Sequence, residues 1–485
     1  MRPVDLAVII AYLAGVTWFG ARFRSGQRTL KDYFLGGRTA PWWAIGLSIV
    51  SAETSTLTII GTPPLAYAGS YVFLQVVLGY LLARVVISAI FLPQYFKGQL
   101  FTAYELMQRR FGPRVRKVTA GIFLITRSLA EGVRVFAISI VVSIVLHTGG
   151  LASILVIMAL TLFYTFEGGM TAVIWTDVIQ MGMYVVGAAI SFFVLLDKIP
   201  GGFRHVIDVA GPAGKFQVFD FHWSWTFPYT FWAGVIGGCF LTTASDGTDQ
   251  LVVQRLLSAR SERDSRLALF ASWGMIFVQF TLFLTIGVLL WVWRNGQAFD
   301  KDQLDRLYPA FIWSSLPMGI AGLAMAAIVA AAMANLSAAL NSLASATVVD
   351  FYRPLTRSRY SAAHYVTVSR FSTVVWGGVL AAIAMVASHW GSVLESGLSI
   401  ASVTLGILLG VFLLGVLTKR PGENAAIAGV VAGALTMLYV KLGTSIPFTW
   451  WVAIGSAATF GVGYLTSFVS AGATTVAPGA AERLE

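Results

Sequence analysis

The feature that most constrains this chain is its series of long apolar segments, which recur from the first residues almost to the last. A helix needs about 20 apolar residues to cross a bilayer, and a window of that length finds roughly thirteen such segments. Of the 485 residues, 57% are hydrophobic and only 11% are charged, whereas a soluble domain carries about 25% charged residues. The sequence therefore predicts an all-α membrane protein with about 13 transmembrane helices.

The predicted spans are joined mostly by short connections. The ninth span is long for one crossing, and Pro317 is expected to separate a short outer helix from the span proper, because proline interrupts helices. Residues 1–470 are expected to form a single membrane domain, followed by a disordered tail at 471–485 that is rich in Ala, Gly and Thr. The spans lie at about 4–22, 42–67, 70–96, 118–146, 151–166, 170–196, 230–253, 266–293, 310–348, 364–386, 391–417, 424–441 and 447–469.

The connecting segments carry positive charge mainly on one side of the predicted membrane. One alternating set of connections contains twenty Lys and Arg residues, and the other set contains eight. Because basic residues accumulate in cytoplasmic loops, the N-terminus is predicted outside and the C-terminus inside the plasma (inner) membrane. The same bias accounts for the net charge of +11, so nucleic acid is not an expected partner.

Residues that could support catalysis or tight metal binding are scarce. Cys239 is the only cysteine, which leaves neither a disulfide framework nor a cysteine-based metal site. The five histidines are scattered, and the sequence shows no nucleophile–base pair or phosphate-binding loop. An enzyme is therefore not expected.

Polar residues interrupt two spans at membrane depth. Span 2 contains Ser51-Ala-Glu53-Thr54-Ser55-Thr56, and span 7 contains the polar run from Thr242 to Gln250. Unwound backbone inside a bilayer is tolerated only where it lines a site, and its free carbonyls suit Na⁺. Matching broken helices five spans apart indicate an inverted-repeat transporter. The sequence thus predicts a 5+5 inverted repeat, with repeats at about 42–196 and 230–417 and broken helices at spans 2 and 7.

Charged residues in two other spans each allow two interpretations. Glu131 and Arg134 are spaced i, i+3 on a helix, so they either neutralise each other or take part in substrate binding. Asp177 follows Trp175-Thr176 near a membrane interface, where it either binds an ion or caps a helix and binds water.

Several motifs follow one another in an order typical of one transporter family. They are Lys31-Asp-Tyr-Phe-Leu-Gly-Gly-Arg38, Trp42-Trp43, Phe101-Thr-Ala-Tyr-Glu105, the segment from Gly168 to Gln180, the segment from Thr248 to Arg255, and Leu340-Asn-Ser342. In this order they resemble the sodium/solute symporter family, over about residues 30–435. The resemblance implies the LeuT-type five-plus-five fold, with one extra leading helix and two trailing helices.

The resemblance also implies a sodium site between spans 2 and 9. Its ligands would be the side chains at positions 334 and 335 and the backbone carbonyls of Ser51, Thr54 and Ala331. The family usually has two hydroxyl residues at positions 334 and 335, whereas this chain has Ala334 and Asn335. The Asn335 amide and the Glu53 carboxylate would supply replacement oxygens, so the site is rebuilt, weakened or converted to proton coupling through Glu53.

A second sodium site, known in some relatives, would use Asp177 with Ser337, beside Ala338 where a family hydroxyl is missing.

The substrate would lie at mid-membrane, between the broken spans and spans 3, 4 and 11. An aspartate suits a polyol or an amine, and an arginine suits a carboxylate. The candidate lining residues are Thr58, Asp249, Gln250, Arg134 and Ser399.

The leading functional hypothesis is co-transport of Na⁺ with a small polar solute, sugar-like or carboxylate, by alternating access in a protein that works as a monomer. A proton-coupled or facilitative carrier of the same fold is the nearest alternative, and a membrane sensor without net transport is a third. Replacing Glu53 by glutamine separates the first two, because it should abolish a proton-driven current and only weaken a sodium-driven one.

Overall fold

The structure, a computed structural model, describes residues 2–21, 38–97, 103–164, 170–356, 359–390 and 392–469. These residues form helices and connecting segments, and their one β-type contact is an isolated bridge between Ala40 and Ala259. The first ten helices are α1 Pro3–Ala21, α2 Trp42–Glu53, α3 Thr56–Ala68, α4 Leu74–Val86, α5 Leu92–Phe96, α6 Ala103–Phe111, α7 Pro113–Leu146, α8 Gly150–Tyr164, α9 Met170–Asp197 and α10 Gly202–Ala210.

The second half of the chain is also helical. Single π-helical turns at Ile87–Phe91 and Thr347–Tyr352 follow α4 and α15, and such turns are frequent at functional sites. The remaining helices are α11 Phe231–Thr248, α12 Gln250–Leu257, α13 Glu262–Trp293, α14 Leu307–Ser315, α15 Ile320–Ala346, α16 Arg353–Leu355, α17 Ala362–Ala387, α18 Val393–Leu417, α19 Glu423–Gly443 and α20 Phe448–Val469.

The lengths of the apolar helices show a multi-pass integral membrane protein. Within the described ranges, nine helices are long and apolar enough to cross a bilayer, and the bent pair α2–α3 brings the number to ten. Predicted spans 1, 5 and 7 are not among these ten. Spans 1 and 5 contain only the shorter apolar stretches Pro3–Gly15 and Gly150–Leu162, and α11 of span 7 has 18 residues that end in a polar run.

The predicted interruptions of the helices are present. The pair α2 and α3 breaks after Glu53 and bends by 68°. The pair α11 and α12 is interrupted at Asp249, whose backbone is extended (φ −79°, ψ 130°). A third prediction is confirmed around Pro317, because α14 ends at Ser315 and α15 begins at Ile320.

A glycine seam joins α4 and α11, where the two backbones are in direct contact. A Cβ atom added to Gly238 would lie 2.3 Å from the carbonyl oxygen of Val76, and one added to Gly79 would lie 2.4 Å from that of Val235. Small residues allow such close approach between membrane helices. The seam therefore fixes the separation of α4 and α11 through contact between their backbones.

The first helix is attached to the beginning of α15. Asp5 accepts hydrogen bonds from the backbone N–H groups of Gly319 and Gly322, at 2.7 and 2.8 Å, and its side chain is fully buried. A carboxylate at this position satisfies unpaired N–H groups and interacts favourably with the helix dipole. Since α15 carries predicted sodium ligands, this cap helps to position them.

The helix bundle has two ends that differ in composition. At the basic end, the Arg260 Nε atom donates to the Thr39 carbonyl at 3.2 Å, and Arg110 donates to the Thr418 carbonyl at 3.2 Å. The aromatic end consists mainly of the connection between α10 and α11, where the rings of Trp223 and Trp225 pack against Trp450. The basic end corresponds to the side predicted to face the cytoplasm.

A connection at the aromatic end lies against the broken helix pair. The Lys215 ammonium donates to the carbonyl of Tyr67 near the end of α3, at 2.6 Å, and lies 4.7 Å from the ring centre of Trp291. The Tyr67 hydroxyl donates to the Gln297 carbonyl at 2.6 Å. Segments outside the spans therefore hold the end of α3 in place.

An acidic residue at the same end begins the next span. Asp305 accepts a hydrogen bond at 3.0 Å from the backbone N–H of Val393, the first residue of α18. The pKa of Asp305 is raised to about 6, mainly by burial and to a smaller extent by the nearby Glu395 carboxylate, against the lowering effect of the Val393 hydrogen bond. The charged form of Asp305 is therefore disfavoured in the folded protein.

This shift predicts a pH-dependent contribution to stability. Because the pKa of Asp305 in the folded protein lies above its ordinary value, the charged form of this residue destabilises the folded protein. The destabilisation is fully present above about pH 6 and decreases as the pH falls below 6. Asp305→Asn removes that cost and retains an oxygen for Val393, so its melting temperature should exceed that of the wild type by a few degrees at neutral pH and approach it in acid. Thermal denaturation of purified protein across this pH range measures the difference. Parallel curves for the two proteins would contradict the prediction, and Asp208→Asn, at an exposed position of α10, is the matched control.

Candidate cation and solute site

The break between α2 and α3 releases several backbone carbonyls from helical pairing. In a continuous α-helix, the N–H of Ser55 would donate to Ser51 and that of Thr58 to Thr54. Here the Ser55 N–H donates to the Glu53 carbonyl at 3.1 Å, and the Thr58 N–H donates to the Ser55 carbonyl at 2.9 Å. The carbonyls of Ser51 and Thr54, which the family resemblance names as sodium ligands, are thus among those released, as is that of Ala52.

Side chains from two other helices surround this break. The Thr54 hydroxyl and the Gln279 amide of α13 exchange hydrogen bonds at 3.0 and 3.1 Å. The Tyr184 hydroxyl of α9 is buried beside the side chains of Ser51 and Thr54. Sequence reasoning did not single out Gln279 or Tyr184, although a glutamine inside an apolar span is a signal that could have been used.

The helix that carries the other predicted sodium ligands is α15. It packs against α3, which follows the break, and against α9, which itself packs against α2. Asn335 and Ser337 are partly buried on this helix. Ala331 contributes to the prediction through its backbone, and the side chain of Ala334 lies outside the described part of the structure.

The Glu53 side chain is directed to an arginine of α4. Its Oε1 atom lies 2.6 Å from Nη2 of Arg84, and Arg84 Nη1 lies 2.9 Å from Oδ2 of Asp246 in α11. The side chains of Arg84 and Asp246 are completely buried. Sequence reasoning did not single out Arg84, yet an arginine in the middle of predicted span 3 is costly unless it is paired.

Asp177 belongs to a buried network close to the basic end. Its Oδ2 atom accepts a hydrogen bond from the Ser48 hydroxyl at 2.5 Å and from Nη2 of Arg255 at 2.8 Å. Arg255 also donates through Nε to the Ser48 hydroxyl at 2.8 Å and through Nη1 to the Leu251 carbonyl at 2.6 Å. One guanidinium therefore joins α2, α9 and α12. We call these three residues, Ser48, Asp177 and Arg255, the basic-end gate.

A group of charged side chains lies on α7 beside the interruption at Asp249. Glu131 Oε1 lies 2.5 Å from Nη1 of Arg134 and 3.1 Å from Nε of Arg127. Arg127 Nη1 lies 3.9 Å from Oδ2 of Asp249, whose other oxygen accepts from the Leu251 N–H at 2.9 Å and caps α12. The i, i+3 pairing of Glu131 and Arg134 is thus present, and it leaves two guanidinium groups on one buried carboxylate.

Two of the other predicted solute residues, Thr58 and Ser399, lie on helices that contact α7. Thr58 is buried on α3, and Ser399 is partly buried on α18. Helix α3 packs against both α7 and α18, which also pack against each other. Gln250 is the first residue of α12, and its side chain lies outside the described part of the structure.

Comparison with known proteins identifies the family. The profile of the sodium:solute symporter family matches residues 33–433, which is most of the chain. The chain therefore belongs to the sodium:solute symporter family. Its activity is Na⁺-coupled secondary transport of a small solute, with Na⁺ as the coupling ion.

Individual relatives give the same result. The sodium/sialic acid symporter of Aliivibrio fischeri is 29% identical over 96% of this chain and 93% of its own length. The human sodium-coupled monocarboxylate transporter 1 is 28% identical over 91% of this chain and 73% of its own length. The solved structure of a Na⁺-coupled sialic acid symporter, in a substrate-bound outward-open state, has a TM-score of 0.83 and 28% identity, covering 96% of this chain and 98% of that one.

Proposed function

We propose that the solute carried with Na⁺ is a small carboxylate, bound between α3, α7, α18 and the interruption at Asp249. The observation that supports this proposal best is the charge arrangement on α7. Arg127 and Arg134 both contact the Glu131 carboxylate, and the Nε atom of Arg134 is buried and donates no hydrogen bond to the described residues. Guanidinium groups bind carboxylates in a bidentate manner, so a solute carboxylate can accept a hydrogen bond from the Nε–H of Arg134.

The similar transporters are consistent with this solute class. One is named for sialic acid and the other for monocarboxylates, and both kinds of solute carry a carboxylate. Thr58, Asp249, Gln250 and Ser399 would contact the remainder of the solute, and Asp249 would accept hydroxyl or amine hydrogens from it.

For the coupling ion, we propose a site at the break between α2 and α3. Its oxygen ligands would be the released carbonyls of Ser51 and Thr54, the Ala331 carbonyl and the Asn335 amide. The single amide of Asn335 would take the place of the two hydroxyl groups that are usual in the family. A second ion would use Asp177 and Ser337. Since Asp177 is bonded to Arg255 here, that second ion would bind only when the basic-end gate rearranges.

The arrangement in the membrane completes the proposal. We place thirteen crossings in one domain at residues 1–470, with inverted repeats at 42–196 and 230–417 and the N-terminus outside. In this orientation the basic-end gate faces the cytoplasm, and its hydrogen bonds would hold that side of the protein closed. The chain would work as a monomer in the plasma (inner) membrane and as a carrier, not as an enzyme. The tail at 471–485 lies outside the described residues.

Uptake into proteoliposomes tests the coupling ion and the solute class together. With an inward Na⁺ gradient, labelled sialic acid or propionate should accumulate, whereas a neutral sugar such as glucose should not. Equal uptake with Na⁺, K⁺ or no gradient would exclude sodium coupling and favour a proton-coupled or facilitative carrier. Accumulation of glucose but of neither acid would exclude the carboxylate proposal.

A substitution at Arg134 tests the residue that supports the proposal. Arg134→Gln removes the guanidinium, and losing a charge-assisted hydrogen bond costs about 1.5–3 kcal/mol, so the KM for the acid should rise at least about tenfold. The Na⁺ dependence of uptake should change little, because Arg134 is not among the proposed sodium ligands. Arg114→Gln, which removes an exposed arginine side chain of the same helix, is the matched control. An unchanged KM for Arg134→Gln would contradict the assignment.

A further inference from the structure

The connection between α10 and α11 carries aromatic residues at every second position. They are Phe219, Phe221, Trp223, Trp225 and Phe227, and the backbone from 217 to 224 forms no helix or turn. In an extended chain, alternate side chains point to the same side. The rings of Phe219 and Phe221 stack with centres 5.7 Å apart, and those of Trp223 and Trp225 meet edge to face at 5.5 Å. We call these five residues the aromatic ridge.

The aromatic ridge is exposed to an unusual extent for residues of this kind. Its side chains are between 48% and 62% exposed, although each of them is large and apolar. With roughly 200 Å² for one such side chain, the ridge presents on the order of 500 Å² of apolar surface. A contiguous exposed patch of this size marks a surface that binds another protein or a membrane.

Hydrogen bonds on both sides attach the ridge to the helix bundle. Gln75 of α4 is fully buried. It accepts a hydrogen bond from the Asp220 N–H at 2.9 Å and donates one to the Tyr229 carbonyl at 2.9 Å. The Trp232 indole N–H of α11 donates to the Phe221 carbonyl at 3.2 Å. The exposed face of the ridge is therefore held in place by the folded protein.

The position of the ridge indicates which partner it meets. The rings of Trp223 and Trp225 have their centres 5.7 and 4.9 Å from that of Trp450. Trp450 is the third residue of α20, a helix long and apolar enough to cross a bilayer. Phe221 packs in the same way against Phe231, the first residue of α11, at 4.9 Å. The ridge thus lies where α20 enters the membrane, the level at which aromatic side chains accumulate in membrane proteins.

The chemistry of the segment fits the boundary between lipid headgroups and acyl chains. Residues 216–232 include no lysine or arginine, and Asp220 is their only acid, so little charge loses its water at this boundary. The indole N–H groups of Trp223 and Trp225 have no acceptor among the described residues. A ring with an apolar body and one polar N–H is suited to this boundary, because the body meets acyl chains while the N–H reaches headgroup oxygens.

We propose that the aromatic ridge is a lipid-binding surface, which inserts its rings into the bilayer leaflet at the aromatic end of the bundle. The indole N–H groups of Trp223 and Trp225 donate hydrogen bonds to phosphate or ester oxygens of phospholipids. The alternate residue His222, which is exposed, faces water. This binding depends on neither the transported solute nor the coupling ion.

Spin labels on the full chain, in vesicles of phosphatidylcholine and phosphatidylglycerol, test which phase the ridge faces. In a Cys239→Ser background, single labels are placed through Phe221→Cys or Trp225→Cys on the ridge. The matched controls are His222→Cys in the same segment and Asp208→Cys at an exposed position of α10. Oxygen, which concentrates in lipid, should reach the two ridge labels several times more readily than a water-soluble nickel chelate does. At the two control positions this preference should be reversed.

Two outcomes of the labelling experiment would overturn the proposal. If the nickel chelate reaches all four labels equally well, the ridge faces water. If both ridge labels are shielded from oxygen and from nickel, and show spin–spin broadening that disappears on dilution with unlabelled protein, a second copy of the chain covers the ridge. The two ridge positions keep the test decisive if one variant fails to fold.

Tryptophan fluorescence gives an independent test without any added label. The difference in emission between the wild type and Trp225→Phe reports on Trp225 in an otherwise unchanged ridge. This difference should be largely lost in vesicles whose lipids carry bromine near the start of the acyl chains, and iodide in the water should change it little. Quenching by iodide and not by bromine would contradict lipid binding.

Discussion

Gly238→Ala is expected to destabilise the folded protein by about 3 kcal/mol or more, at the upper end of the usual cost of overpacking. The added Cβ would lie 2.3 Å from the carbonyl oxygen of Val76, and a backbone oxygen cannot move aside as a side chain can. Helices α4 and α11 would have to separate along the whole glycine seam. The melting temperature in detergent and the yield of monodisperse protein measure the loss.

Gly274→Ala in α13 is the matched control for this prediction. A Cβ at Gly274 has no neighbouring atom within 4 Å, and alanine is more favourable than glycine in a helix by about 1 kcal/mol. The two substitutions should therefore change the melting temperature in opposite directions. Similar small effects of both would show that the seam is not in backbone contact.

Arg255→Gln is expected to reduce solute uptake more than about tenfold. The substitution leaves Asp177 buried without its cation, and breaking a buried ion pair in this way costs about 3–5 kcal/mol. Ser48 would also lose the donor that lies 2.8 Å from its hydroxyl. The basic-end gate would then remain open for most of the time, and the two ends of the protein could no longer open in alternation. Arg255→Lys should be only partly active, because an ammonium cannot reach all three partners of the guanidinium.

Chemical labelling separates an open gate from a misfolded protein. Ala259 is fully buried beside Ala40 at the basic end, so a cysteine placed there should react slowly with a membrane-impermeant maleimide. In a Cys239→Ser background, Ala259→Cys should react several times faster when Arg255→Gln is also present. Equal labelling rates, together with a normal melting temperature, would contradict the gating role.

The features that could be predicted from the sequence are those that depend on local order. The polar run from Ser51 to Thr56 predicts the break after Glu53, and i, i+3 spacing predicts the contact between Glu131 and Arg134. The length of apolar stretches predicts the crossings less well at spans 1, 5 and 7. A sliding window responds to the apolar residues there, although the helices that form are too short or too polar to be counted as membrane-spanning.

The partners of the buried charges could not be predicted, because they come from distant parts of the chain. Glu53 suggests a cation ligand or a proton acceptor when it is considered alone, but its neighbour Arg84 is 31 residues away and Asp246 is on another broken helix. Asp177 and Arg255 are separated by 78 residues. Only the packing of α2, α4, α9, α11 and α12 brings these side chains together, and a single sequence does not specify that packing.

The buried ion pairs in the described part of the chain share one property. In each of them the positively charged partner is an arginine and not a lysine. A guanidinium does not lose its proton in proteins. The positive charges of these ion pairs are therefore permanent, whereas each carboxylate can be neutralised. The interior can become more positive by taking up protons or sodium ions, but it can never become more negative than its fully ionised form. A protein with such an interior is suited to binding cations in one conformation and releasing them in another.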